Sequence, residues 1–183
     1  MRSLSPIQTA GLREEGMILP RLENIGTNLP PDYLHKHFVA DLYIYYVFEQ
    51  ESNYRYLRHN DLENGIAFEE MHITSINNLL AFIGDRIELN GDSDDAMMIT
   101  VDGEHESSLL LFDKFWNELE IRLDASLLVF TPSHDLLFLA KENSVSGRER
   151  LTDIRNQFLS ENIKGILGSM FLKRNSGIWT LAE

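Results

Sequence analysis

The chain has no cysteine, which excludes a disulfide framework, a thiolate metal site and a cysteine nucleophile. Its 183 residues are nevertheless enough for one domain to bury a core without such staples. No window approaches the ~18 unbroken apolar residues of a spanning helix, and the N-terminal MRSLSPIQTAGLREEG lacks the apolar centre of a signal peptide. A cytoplasmic location is therefore expected, with no membrane partner. Repeats, low-complexity tracts, a phosphate loop, G-x-G-x-x-G, H-E-x-x-H and G-x-S-x-G are all missing. Nothing in these absences calls for a cofactor or a metal.

Basic residues are scarce in one place. Residues 61–106 hold 12 Asp and Glu against the single Arg86, whereas residues 1–60 carry 7 acids and 6 bases and residues 107–183 carry 10 acids and 9 bases. Most of the net charge of −13 therefore sits in a quarter of the chain. Phosphate backbones repel such a surface, so nucleic acid is excluded as a direct partner and a basic protein is favoured. The carboxylates expected to form the patch are Asp61, Glu63, Glu69, Glu70, Asp85, Glu88, Asp92, Asp94, Asp95, Asp102, Glu104 and Glu106. The alternative for the same residues is a solvated face that aids solubility.

What is present patterns into short elements. Residues 1–36 are the least regular, with three of the five prolines in ILPRLENIGTNLPPDYLHKH, and predict an extended arm leading into a single domain over residues 37–183. ADLYIYYVFEQ alternates as a central strand, and YRYL follows as its hairpin partner. HNDLENG predicts a capped helical turn stopped by Gly65. Phe68, Met71, Ile76, Leu79, Leu80 and Ile83 form one stripe of a helix over 66–83. AMMITVDGEHES reads as a hairpin about Asp102-Gly103, followed by a helix from Leu109 to Leu123. LLVF and LLFLA flank a turn, GRERLTDIRNQFLSEN is a helix with Leu151, Ile154, Phe158 and Ile163 inward, and strands flank Asn175-Ser176-Gly177. Hairpins alternating with helices predict an α+β domain: an antiparallel or mixed sheet with helices on one face.

Ser133, His134 and Asp135 are contiguous, and a catalytic relay cannot be built from adjacent side chains. Pro132 fixes φ, while Ser133 and Asp135 bond nearby backbone, so Pro132 to Asp135 is a hairpin turn. GDSDDAMM lacks the Gly and Glu spacing of a calcium loop and reads as an exposed acidic loop. His35 and His37 share one face of a strand with no third ligand. No catalytic set is assembled. The first candidate for one is Asp102, Glu104, His105 and Glu106, where acid, base and imidazole sit together.

LYIYYVFEQESNYRYLRHNDLENGIAFEEMHITSINNLL, DGEHESSLLLFDKFW, VFTPSHDLLFLA and LKRNSGIW occur in one order over residues 18–180. In that order they resemble the YtpQ-like family of uncharacterised bacterial proteins. The resemblance implies a bacterial source, carries no activity or site residue, and agrees with the turn at Pro132 to Asp135. Three readings follow. The preferred one is a non-enzymatic binding protein, immunity- or chaperone-like, whose acidic surface engages a basic partner such as a toxin or effector. The second is a metal-dependent hydrolase centred on Asp102 to Glu106. The third is a structural subunit forming a homodimer through its aromatic strand.

Overall fold

The computed structural model describes residues 16–24, 30–50, 53–62, 67–161, 166–167 and 171–182. These residues form an α+β fold in which the strands divide between two antiparallel sheets rather than joining one. No helix among them is long and apolar enough to cross a membrane.

The first sheet is organised by β3 (Leu42–Gln50). Along one edge lies β1 (Met17–Asn24), antiparallel from Met17 opposite Glu49 to Asn24 opposite Leu42. With that edge filled, the other is shared end to end by β2 (His35–Val39) and β4 (Asn53–Tyr56). Leu57 joins the two, donating its N–H to Tyr46 O and accepting from Leu34 N–H, both at 2.8 Å. A strand covered on both faces must be apolar on both, and β3 buries Leu42, Ile44, Tyr45, Tyr46, Val47 and Phe48.

The place of β1 corrects the expectation of an arm over residues 1–36, of which 1–15 and 25–29 lie outside the described residues. Leu19, Leu22 and Leu34 are fully buried in the main core. The sequence hides this strand because MILPRLEN does not alternate and contains Pro20. A strand with a neighbour on one side only tolerates proline, since the missing N–H can face away from the ladder.

The second sheet runs in the order β10 (Ile178–Leu181), β9 (Leu172–Asn175), β7 (Leu127–Ser133), β8 (Leu136–Lys141), β6 (Met97–Thr100) and β5 (Glu88–Gly91). Its tight turns are His134-Asp135 and Ser176-Gly177, the latter with φ of 51° and 83° at its two residues, as a two-residue hairpin requires. The hairpin expected at Asp102-Gly103 does not form. β6 instead pairs with β5 across residues 92–96, and Gly103 (φ 82°) belongs to a loop that leads into a 3-10 helix, Glu106–Leu111.

α1 (Phe68–Ile83) packs on β1 and buries Met71, Ser75, Leu79 and Ile83, while Leu80, expected inward, faces solvent. The helix expected over Leu109 to Leu123 is broken at Phe112, and only α2 (Asp113–Leu123) is α-helical. The break lets Trp116 Nε1 donate to Leu109 O at 2.7 Å. α3 (Val145–Ser160) covers β7 and β8 around Leu128, Phe130, Ala140 and Leu151. Ile163, assigned to its inner face, lies outside the described residues. One apolar cluster contains residues of both sheets, α1, α2 and the 3-10 helix, so the sheets share a core.

Candidate functional site

Where the two sheets meet, an open cleft of about 560 Å³ is lined by Arg21, Glu49, Asn53, Tyr54, Gly103, Glu104 and the turn Ser133-His134-Asp135. The turn is formed as the sequence predicts, with Ser133 opposite Leu136, and Ser133 Oγ bonded to Asp135 Oδ1. The turn does more than reverse the chain. It carries His134 against β1, and His134 O accepts from Ser107 N–H at 2.9 Å. Ser108 Oγ donates to Pro20 O at 3.2 Å, so the loop before α2 is tied to both sheets.

Glu23 organises one side of the junction. Its Oε1 accepts from Tyr56 Oη at 2.6 Å and Arg21 Nε at 3.3 Å, and His134 Nε2 lies 3.5 Å away. Burial, with the Arg21 charge second, pushes the His134 imidazole down to about 4, so near neutral pH the ring is uncharged. Its 3.5 Å approach to Glu23 is thus not an ion pair near neutral pH. Burial, with the Glu23 hydrogen bond second, holds the Tyr56 phenol well above its ordinary value.

His105 organises the other side. Its Nδ1 is 3.0 Å from Asp102 Oδ2 and its Nε2 is 3.4 Å from Glu49 Oε2, while Phe82 packs edge-on against the ring. Burial alone would raise the Asp102 carboxyl, but the Glu104 N–H and the His105 contacts hold it below the usual carboxylate range. Glu106 is 2% exposed, and its Oε1 accepts from the N–H groups of Val101, Asp102 and Gly103 at 2.8–3.2 Å. The sequence DGEHES is therefore a self-knitted loop. Asp102 Oδ1 caps Glu104 and His105, and Glu106 caps the residues before it.

This arrangement bears directly on the hydrolase reading. A general base needs a ring nitrogen free to meet substrate, whereas both nitrogens of His105 face carboxylates and the ring is buried. Among the described residues no group of three His, Asp or Glu is placed to hold a metal ion.

The twelve carboxylates expected to share one patch are not brought together. Asp61 is bonded by Arg55 at 3.0 Å, Glu69 by Lys36 at 3.1 Å and Asp94 by Lys141 at 2.5 Å, each cation coming from outside the acidic stretch. Asp102 and Glu106 turn inward, so as partner-facing residues both are corrected: each closes the loop instead. Glu70 stands in the first turn of α1, about 20 Å along the axis from its last residue, Ile83, beyond which Asp85 lies. Asp92 and Asp95 flank Asp94 in the β5–β6 turn, where Asp94 O accepts from Ser144 Oγ and Ser146 Oγ at the start of α3. Glu63 lies outside the described residues.

Of the twelve, Glu104 stands on the cleft wall; Arg86, between Asp85 and Glu88 in the chain, reaches to 3.9 Å from Asp102. Glu49 and Asp135, neither in the acidic stretch, complete the wall. Sequence reasoning missed Arg21, Glu23, Glu49, Tyr54 and Tyr56. The one local signal was a charged Arg21-Leu22-Glu23 set in an otherwise apolar run. No protein-family model, no curated protein and no solved structure matches the chain.

Proposed function

We propose that the protein is a non-enzymatic binding protein, immunity- or chaperone-like, that acts in the cytoplasm and receives a basic segment of a protein partner at the cleft between its sheets. The observation that carries this reading is the unequal charge of the cleft wall. Glu49, Glu104 and Asp135 face it, and its one arginine, Arg21, already pairs with Glu23 and lies 4.8 Å over the Tyr54 ring. Tyr54, 49% exposed, adds an aromatic face beside those carboxylates. A cation entering such a site gains charge-assisted hydrogen bonds and a ring contact together. Placement with the YtpQ-like proteins rests on the quoted segments and adds no activity.

The test is calorimetric titration of a synthetic arginine-rich peptide into the wild type and into the triple variant Glu49→Gln, Glu104→Gln, Asp135→Asn. The expected result is binding that weakens steeply between low and physiological salt, as screened surface charges require, and is lost in the triple variant. Equal binding by both proteins would end the proposal.

A further inference from the structure

A second concavity, separate from the acidic cleft, lies between α1 and β2. It encloses about 390 Å³ and is walled by Phe38, Ile44, Ile73, Ile76, Leu110 and Leu111. Ile73 at its rim is 59% exposed, where an isoleucine would otherwise be buried. The polar groups that line it are few: Lys36, His37, His72, Asn77 and Asp113.

These groups have a defined hydrogen-bonding sense. Tyr46 is fully buried, and burial, with Glu69 second, holds its phenol above the ordinary value, so it keeps its proton. The phenol lies 2.8 Å from His72 Nδ1; with the phenol as donor, a neutral imidazole carries its proton on Nε2. Nε2 is the ring nitrogen not engaged by Tyr46, on a side chain that lines the cavity. His37 is bonded by its Nε2 to Ala40 O at 2.9 Å, so the same sense of donation fixes its tautomer. Lys36 holds Glu69 at 3.1 Å with N–H capacity remaining, and the Asn77 amide adds two more donors. The single carboxylate of the lining, Asp113, is 3.1 Å from Arg174 and so is neutralised from behind. With His72 in that tautomer, Lys36, His72 and Asn77 each bring an N–H to the lining beside the apolar side chains.

We propose that this cavity binds a small carboxylate with an apolar body, its head group on His72, Asn77 and Lys36 and its tail along Phe38, Ile44, Ile73 and Ile76. The volume suits about a dozen non-hydrogen atoms at the ~30 Å³ that each molecule of liquid water occupies, and it falls within the range of known small-molecule sites. No residue of the acidic cleft lines this cavity, so either site can fail without the other.

Octanoate is the probe, with octylamine as the counterpart of equal tail and opposite head charge, both titrated by calorimetry into the whole chain. Octanoate is expected to saturate one site and to bind at least tenfold more tightly than octylamine. Ile73→Trp, a change at a solvent-exposed position, is expected to plug the mouth and abolish binding without altering thermal unfolding. His72→Phe, which removes the donor but keeps a ring, is expected to weaken octanoate about tenfold, ~1.4 kcal/mol. Absence of saturable octanoate binding, equal affinity for the amine, or unchanged binding by Ile73→Trp would each overturn the assignment. Should His72→Phe fail to fold, the amine comparison and the Ile73 variant still decide it.

Discussion

At the scale of single residues, the most demanding side chain is Glu106. A buried carboxylate is stable only if its charge is met, and here three backbone N–H groups meet it. Glu106→Ala leaves those donors unpaired and is expected to lower stability by about 2 kcal/mol, read as a shift of the urea midpoint with an unchanged slope. His134 predicts a pH dependence. Its pKa falls from 6.5 in the unfolded chain to about 4 in the folded one, so the unfolded state binds more protons between those values. Stability should fall as pH drops from 6.5 towards 4, and His134→Gln should flatten that part of the profile. An NMR titration showing the His134 ring charging near 6.5 in the folded protein would contradict the neutral contact with Glu23. Neither role was legible in the sequence: His134 depends on Glu23 brought from β1, and Glu106 on a loop conformation that folds its carboxylate back onto the N–H groups of residues 101–103. What was legible is the place of the turn, which falls at His134-Asp135; Pro132 and Ser133 instead end β7, and Ser133 Oγ donates to the Asp135 side chain where a backbone bond was expected.

At the scale of elements, β3 and α1 declared themselves by period, and β7, β8, β9 and β10 by apolar runs around turn residues. The failures have common physical causes. β1 was lost because an edge strand packed against a helix needs neither alternation nor freedom from proline. The Asp102-Gly103 dipeptide favours a hairpin locally, but Glu106 captures the N–H groups a second strand would have used. If β1 is core and not an arm, Leu22→Ala should cost about 2–5 kcal/mol by chemical denaturation; a loss within about 0.5 kcal/mol would restore the arm. Gly91 closes the β5–β6 hairpin at φ 117°, and a Cβ there would meet Ala96 O at 2.9 Å. Gly91→Ala should therefore destabilise by about 1–3 kcal/mol, while Asp92→Ala in the same exposed turn should change little.

At the scale of the whole molecule, charge counted along the chain and charge arranged in space are different quantities. A run of residues with one lone arginine becomes, among the described residues, four ion pairs, two carboxylates that cap their own loop and several separated carboxylates. The part that gathers does so because α1 delivers Asp85 and Arg86 to the loop of Glu104, and because β3 and the β7–β8 turn add Glu49 and Asp135. The most direct test of the central claim is a chemical-shift map of the arginine-rich peptide on isotopically labelled protein. The account predicts perturbations concentrated at Arg21, Asn53, Tyr54, Gly103, Glu104, His134 and Asp135. A map centred instead on Asp92 to Asp95, or on Asp61 to Glu70, would contradict it.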